Sequence, residues 1–267
     1  MPNIFDSHAH YDDPVFDPDR EELLKRLFAE CVCHVVNIGA DLDTSRASIR
    51  LAHQYPQIHA TVGIHPGSVK DAPPDALMQL KALLTEEKVV AVGEIGLDYY
   101  YEDNAPREVQ KEYFRAQLAL AKEYDLPVVV HDRDAHADTM QLLREYRPKG
   151  VVHCFSGSVE MAREVVSLGM YVGLGGAVTF KNARVPVEVA AAVPLSSLLV
   201  ETDAPYMAPV PFRGKRCDSS MIAYTAEKIA SARSMATGIA VTPDEVLSAA
   251  RENAAQLFGI DLEEGLL

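Results

Sequence analysis

Residues 3–13 read NIFDSHAHYDD, a short apolar-led run that ends in two histidines one residue apart. Side chains at positions i and i+2 of a strand share a face. His8 and His10 therefore project together, with Ala9 turned away. Two imidazoles aimed at one point suit a metal ion, although two ordinary polar residues at a strand end would read the same way.

Outward from this stretch the same rhythm repeats. Runs rich in Val, Ile and Leu recur at residues 3–10, 34–41, 59–66, 89–98, 126–133, 150–157, 171–178 and 198–205. Amphipathic patterns lie between them at 19–30, 44–56, 74–87, 107–125 and 136–146. Asp17 or Asp19 is placed to cap the first helix and Thr44 the second. Strands alternating with helices make βαβ units and a parallel sheet. Eight such strands within residues 3–204 predict an α/β (β/α)8 TIM-type barrel, closed by C-terminal helices over 218–259. No repeat or linker breaks the rhythm, so residues 1–267 are expected to form one domain. The Pro-rich stretch 204–216, APYMAPVPFRGKR, reads as an active-face loop because helical patterning resumes after it.

Composition narrows the function classes. The chain of 267 residues is 48% hydrophobic and 24% charged, which suits a globular fold. Its net charge of −14 argues against a broad nucleic-acid-gripping surface or an anionic membrane as partner, while leaving room for a local positive site carrying metal ions. Cys31, Cys33, Cys154 and Cys217 are too few and too scattered for a disulfide framework, and Cys31 and Cys33 read as buried strand residues. No leader pattern and no bilayer-length apolar run is present, so a cytoplasmic location is expected.

A (β/α)8 barrel carries its chemistry at the C-terminal ends of its strands. His8 and His10 end the first strand, His65 the third and His131 the fifth. Glu94 lies near the end of the fourth, His153 at the end of the sixth and Asp203 at the end of the eighth. Five of the 9 histidines thus fall on one rim. Such a set of imidazoles and carboxylates suits two divalent cations, zinc or manganese ahead of magnesium, with Glu94 offering one oxygen to each.

DSHAH (6–10), GIHP (63–66), VGEIGLDYY (92–100), VVVHDRDA (128–135), HCFSGS (153–158), ETDAPY (201–206) and PFRGKR (211–216) occur in order, followed by RENAAQLFG (251–259). Together they resemble the TatD family of metal-dependent deoxyribonucleases, within the amidohydrolase-like hydrolases. The resemblance implies that His8, His10 and Asp203 hold one metal and His131 and His153 the other, with Glu94 shared. It also implies that His65 touches the scissile phosphate. After RGKR many relatives continue with Asn-x-Pro, whereas this chain has Cys217–Ser220, CDSS, a departure that bears on the substrate and not on the metal ligands.

The expected activity is a divalent-metal-dependent 3′–5′ exonuclease cleaving phosphodiester bonds with a metal-activated water. Single-stranded or frayed DNA ends are the expected substrate, RNA is a second candidate, and no obligate protein partner is implied. Asp203 is the candidate general base and His65 the donor to a phosphate oxygen. Arg213, Lys215 and Arg216 are candidates for flanking phosphates, and Tyr99, beside Tyr100 and Tyr101, for stacking on a base. The alternative enzyme is an amidohydrolase acting on an ester, lactone or amide, including aminoacyl-tRNA. A non-catalytic metal-stabilised binding protein is the third reading, and it has no need of a base at Asp203.

Overall fold

A computed structural model describes residues 3–263. Its strands are β1 (Ile4–Ala9), β2 (Val32–Asn37), β3 (Ile58–Val62), β4 (Val89–Asp98), β5 (Val128–Arg133), β6 (Gly150–Val152), β7 (Tyr171–Leu174) and β8 (Leu198–Val200). They pair in sequence order, every neighbour parallel. The seam between β8 and β1 closes at Ala9 and Ala204, which form a parallel bridge. Asp203 N–H donates to His8 O (2.9 Å) and His10 N–H to Ala204 O (2.7 Å). The predicted barrel is therefore present.

The crossovers are α1 (Arg20–Glu30), α2 (Leu42–Gln54), α3 (Ala76–Leu83), α4 (Arg107–Glu123), α5 (His136–Tyr146), α6 (Val159–Ser167) and α7 (Arg184–Ala192). Two C-terminal helices follow, α8 (Ile222–Thr237) and α9 (Pro243–Phe258). Neither α6 nor α7 stands out in the sequence, because α6 is short and α7 is rich in Val and Ala with Pro186 in its first turn, where proline is tolerated. Two capping expectations need correction. Helix α2 starts earlier than Thr44: Asp41 is its N-cap and Thr44 completes a reciprocal capping box. Asp19 does precede α1 but makes no side-chain cap, because its carboxylate binds Arg216. Cys33 is buried in β2 as expected, while Cys31 is half-buried just before it.

Strand residues alternate between two apolar clusters, as a barrel wall requires. Ile4, Val35, Val92, Val130 and Val152 pack with helix residues such as Leu24, Phe114 and Leu143. Their alternates Phe5, Val36, Ala91, Val129 and Val151 join Ala254 and Phe258 of α9 in a separate cluster. Burying a side chain the size of Phe258 contributes about 2 kcal/mol. No helix among the described residues is long and apolar enough to cross a membrane.

Candidate metal centre and catalytic pocket

The site is built where the sheet departs from regularity. The β1–β2 register shifts between Asp6 and Ala9, and the β4–β5 register between Val92 and Ile95. These irregularities bracket His8 and Glu94, and such breaks re-aim side chains. Gly96 opposes His131 across β4 and β5 with φ 142°, and a Cβ there would overlap His131 O. Glycine at position 96 thus allows the close strand approach that places His131 beside Glu94.

His8 and His10 converge as the strand periodicity requires, with Nε2 atoms 3.2 Å apart. Asp203 Oδ1 completes a triangle, 3.6 Å from His8 Nε2 and 3.4 Å from His10 Nε2. His10 Nδ1 lies 3.2 Å from Ile38 O, a contact that makes Nδ1 the donor and leaves the Nε2 lone pair facing the site. On the other side, Glu94 Oε1 is 2.8 Å from His131 Nδ1 and 2.7 Å from His153 Nε2. Glu94 Oε2 faces the first group, 3.5 Å from His8 Nε2 and 4.0 Å from His10 Nε2. One carboxylate therefore presents one oxygen to each of two donor groups. Nitrogen and oxygen donors converging at these separations fit divalent-cation coordination.

Electrostatics keep the carboxylates ionised. Burial favours a protonated Glu94, but His153 and His131 outweigh it and hold the carboxyl well below its usual range. Burial likewise opposes ionisation of Asp203, and His10 and His8 overcome it. Asp203 sits in the left-handed backbone region, φ 59°, as does Cys154 next to His153, φ 41°.

His65 lies just beyond β3 and caps the turn that follows, its Nδ1 accepting from Gly67 N–H at 3.0 Å. Burial, reinforced by the neighbouring His131, pushes its pKa down to about 3. A neutral ring accepting at Nδ1 carries its proton on Nε2. His10, His65, Glu94, His131, His153 and Asp203 share one cavity of about 540 Å3, whose mouth adds Asp12, Asp13, Asp43 and Tyr206.

Arg213, Lys215 and Arg216 on the loop after β8, and Tyr99 just beyond β4, do not line that cavity. Arg216 makes a paired contact with Asp19, at 2.7 and 2.6 Å. Arg213 lies over the Phe180 ring and Lys215 near Phe212. The Tyr99 hydroxyl donates to Asp138 at 2.7 Å, and Arg107 covers its ring. Tyr100 and Tyr101 are the exposed pair, 53% and 50% accessible.

Two carboxylates at the site escaped the sequence reading. Asp98 Oδ2 lies 3.1 Å from His131 Nε2 and orients the ring whose Nδ1 faces Glu94. Its position four residues after Glu94 on the same strand was the available signal. Glu201 is buried behind His153, with Oε1 accepting from Cys154 N–H and lying 3.7 Å from His153 Nδ1. Glu201 Oε2, His153 Nδ1 and His8 Nδ1 are buried without a hydrogen-bond partner among the described residues. Gly173 makes room for this carboxylate, since a Cβ there would come within 2.5 Å of Glu201 Oε2.

The chain is similar to known proteins over nearly its whole length. Residues 5–259 match the family described as TatD related DNase. The chain is 43% identical over 261 residues to the uncharacterized metal-dependent hydrolase YabD of Bacillus subtilis, covering 97% of this chain and 100% of that protein. It is 37% identical over 212 residues to the 3′-5′ ssDNA/RNA exonuclease TatD of Cronobacter sakazakii, covering 77% and 80%. The crystal structure of YjjV, a TatD homolog from Escherichia coli K12, superposes with a TM-score of 0.89 at 34% identity, covering 97% and 99%.

Proposed function

The chain belongs to the TatD family of metal-dependent hydrolases, and from that premise we propose that it is a 3′–5′ exonuclease acting on single-stranded DNA ends. RNA is its second substrate in this reading. The observation that carries it is the division of Glu94, with one oxygen toward His8 and His10 and the other toward His131 and His153. His8, His10 and Asp203 would hold one cation and His131 and His153 the other, with Glu94 shared. Bound there, two divalent cations supply Lewis-acid polarisation of the phosphodiester and acidify the attacking water.

The protein's own groups do the rest. Ionised Asp203 accepts the proton of the attacking water. The water oxygen bonds to phosphorus as the bond from phosphorus to the 3′ oxygen of the remaining chain breaks, and Asp203 returns the proton to that leaving oxygen. The Nε2–H of His65 donates to a non-bridging phosphate oxygen as charge builds there. Asp98 holds the His131 ring.

The test is 5′-end-labelled single-stranded DNA incubated with protein loaded with zinc, manganese or magnesium, beside Asp203→Asn. A ladder shortening from the 3′ end with the wild type alone supports the reading. Intact DNA from a protein carrying two ions overturns it and turns the search to carbonyl substrates, beginning with lactones and aminoacyl-tRNA.

A further inference from the structure

A polyanionic substrate approaching a chain of net charge −14 has to be met by local chemistry at the mouth of the site. That chemistry is lopsided. Asp12 and Asp13, just after β1, line the cavity with Asp43 at the start of α2. Asp13 is fixed by Val15 N–H and by the Tyr206 hydroxyl, both at 2.8 Å, and Asp12 by Asn37 at 2.8 Å. Arg46 lies 3.3 Å from Asp43 and offsets part of its charge. No lysine or arginine is among the residues lining the cavity.

Outside the cavity lining, the β4–β5 side carries a cation beside aromatic rings. In a ring of eight strands, β4 and β5 stand across from β8 and β1. There Arg133, at the end of β5 and two residues beyond His131, lies 3.9 Å from the Tyr100 ring centroid and 5.0 Å from that of Tyr101. Arg133 has no carboxylate within ion-pair distance among the described residues, and both tyrosines are half exposed. Asp98 Oδ1 accepts from the Tyr100 N–H at 2.9 Å while Oδ2 lies beside His131, tying this ledge to the metal centre. A cation over aromatic rings at a strand end matches phosphate and base together.

We propose that the pocket reads the chain end: Asp12 and Asp13, with Asp43, exclude any phosphate beyond the terminal nucleoside, while Arg133, Tyr100 and Tyr101 receive the polynucleotide on the other side of the scissile bond. This rests on the nuclease reading above. The terminal sugar hydroxyl can donate to a carboxylate on the acidic side, whereas a terminal phosphate or a continuing strand places like charges together in a partly enclosed cavity. Exonuclease action then follows from electrostatics at one wall, without a physical block.

The experiment uses metal-loaded protein and three single-stranded DNAs: a 5′-labelled oligonucleotide ending in a 3′ hydroxyl, the same one ending in a 3′ phosphate, and a closed circle. The wild type should favour the hydroxyl end by about 10-fold or more and leave the circle intact. Asp12→Asn with Asp13→Asn should shrink that preference several-fold, and Asp43→Asn should shrink it less. The Asp43 side chain is 97% exposed, so that variant keeps the proposal testable if the double variant misfolds. Arg133→Ala should raise KM for both linear substrates alike and leave the preference unchanged. Equal rates on the two ends, a preference that survives all the Asp substitutions, or cutting of the circle overturns the end-reading while leaving the nuclease standing. Failure to cleave any of the three overturns the nuclease reading itself and the end-reading with it.

Discussion

Glu94 Oε1 stands 2.7 Å from His153 Nε2, and the same carboxylate turns its second oxygen toward His8, whose ring stacks on His153 with centroids 3.9 Å apart. A single buried carboxylate so joins the donor groups carried by β1 and by β5 and β6. Substituting Glu94→Gln should reduce tightly held metal from two equivalents to one or none and remove turnover. Metal analysis after gel filtration, alongside thermal unfolding to confirm the fold, measures this directly. Two equivalents retained by that variant would show that the carboxylate is not shared.

Asp203 lies at the edge of the first donor group and faces the cavity. Asp203→Asn keeps an oxygen donor but cannot accept a proton. Turnover should fall by about 10²–10⁴-fold while most of the metal stays bound. A loss of metal in proportion to the loss of rate would make Asp203 a ligand and nothing more.

Glu201 lies behind His153, its Oε1 3.7 Å from the ring's Nδ1. Glu201→Gln should weaken cation binding by about 10–100-fold, as loss of a carboxylate behind a ligating imidazole does. Competition with a chromogenic chelator reads the affinity without reference to catalysis. An unchanged affinity would reduce Glu201 to a partner of the Cys154 backbone.

Far from the site, His59 of β3 is buried with its Nε2 3.3 Å from His34 Nδ1. Burial pushes its pKa down to about 3, assisted by Lys88 and His34. An unfolded histidine titrates near 6.5. As pH falls below that value the unfolded chain takes up a proton that the folded chain refuses. Stability present above about pH 6.5 is therefore lost progressively toward pH 3, at up to ~1.4 kcal/mol per unit. Urea unfolding of metal-free protein between pH 4.5 and 6.5 should show a shallower pH slope for His59→Gln than for the wild type. Equal slopes would remove His59 from the acid sensitivity.

Local periodicity made much of this site legible. The spacing of His8 and His10 on a strand foretold their convergence, and placement at strand ends brought His65, Glu94, His131, His153 and Asp203 into one cavity. What escaped depends on partners distant in the chain. Arg216 looked free because nothing local reveals Asp19, 197 residues earlier, as its partner. Tyr99, Tyr100 and Tyr101 look alike in sequence, yet the hydroxyl of the first is held by Asp138 on α5. Glu201 carries no local signal, because the space that Gly173 leaves for it on β7 exists only once the barrel closes.

Anomalous diffraction from a manganese-soaked crystal reads out whether a pair of cations shares Glu94. Two peaks are expected, one against His8, His10 and Asp203 and one against His131 and His153, with Glu94 between them. A single peak, or two peaks with Glu94 touching only one, would contradict that sharing.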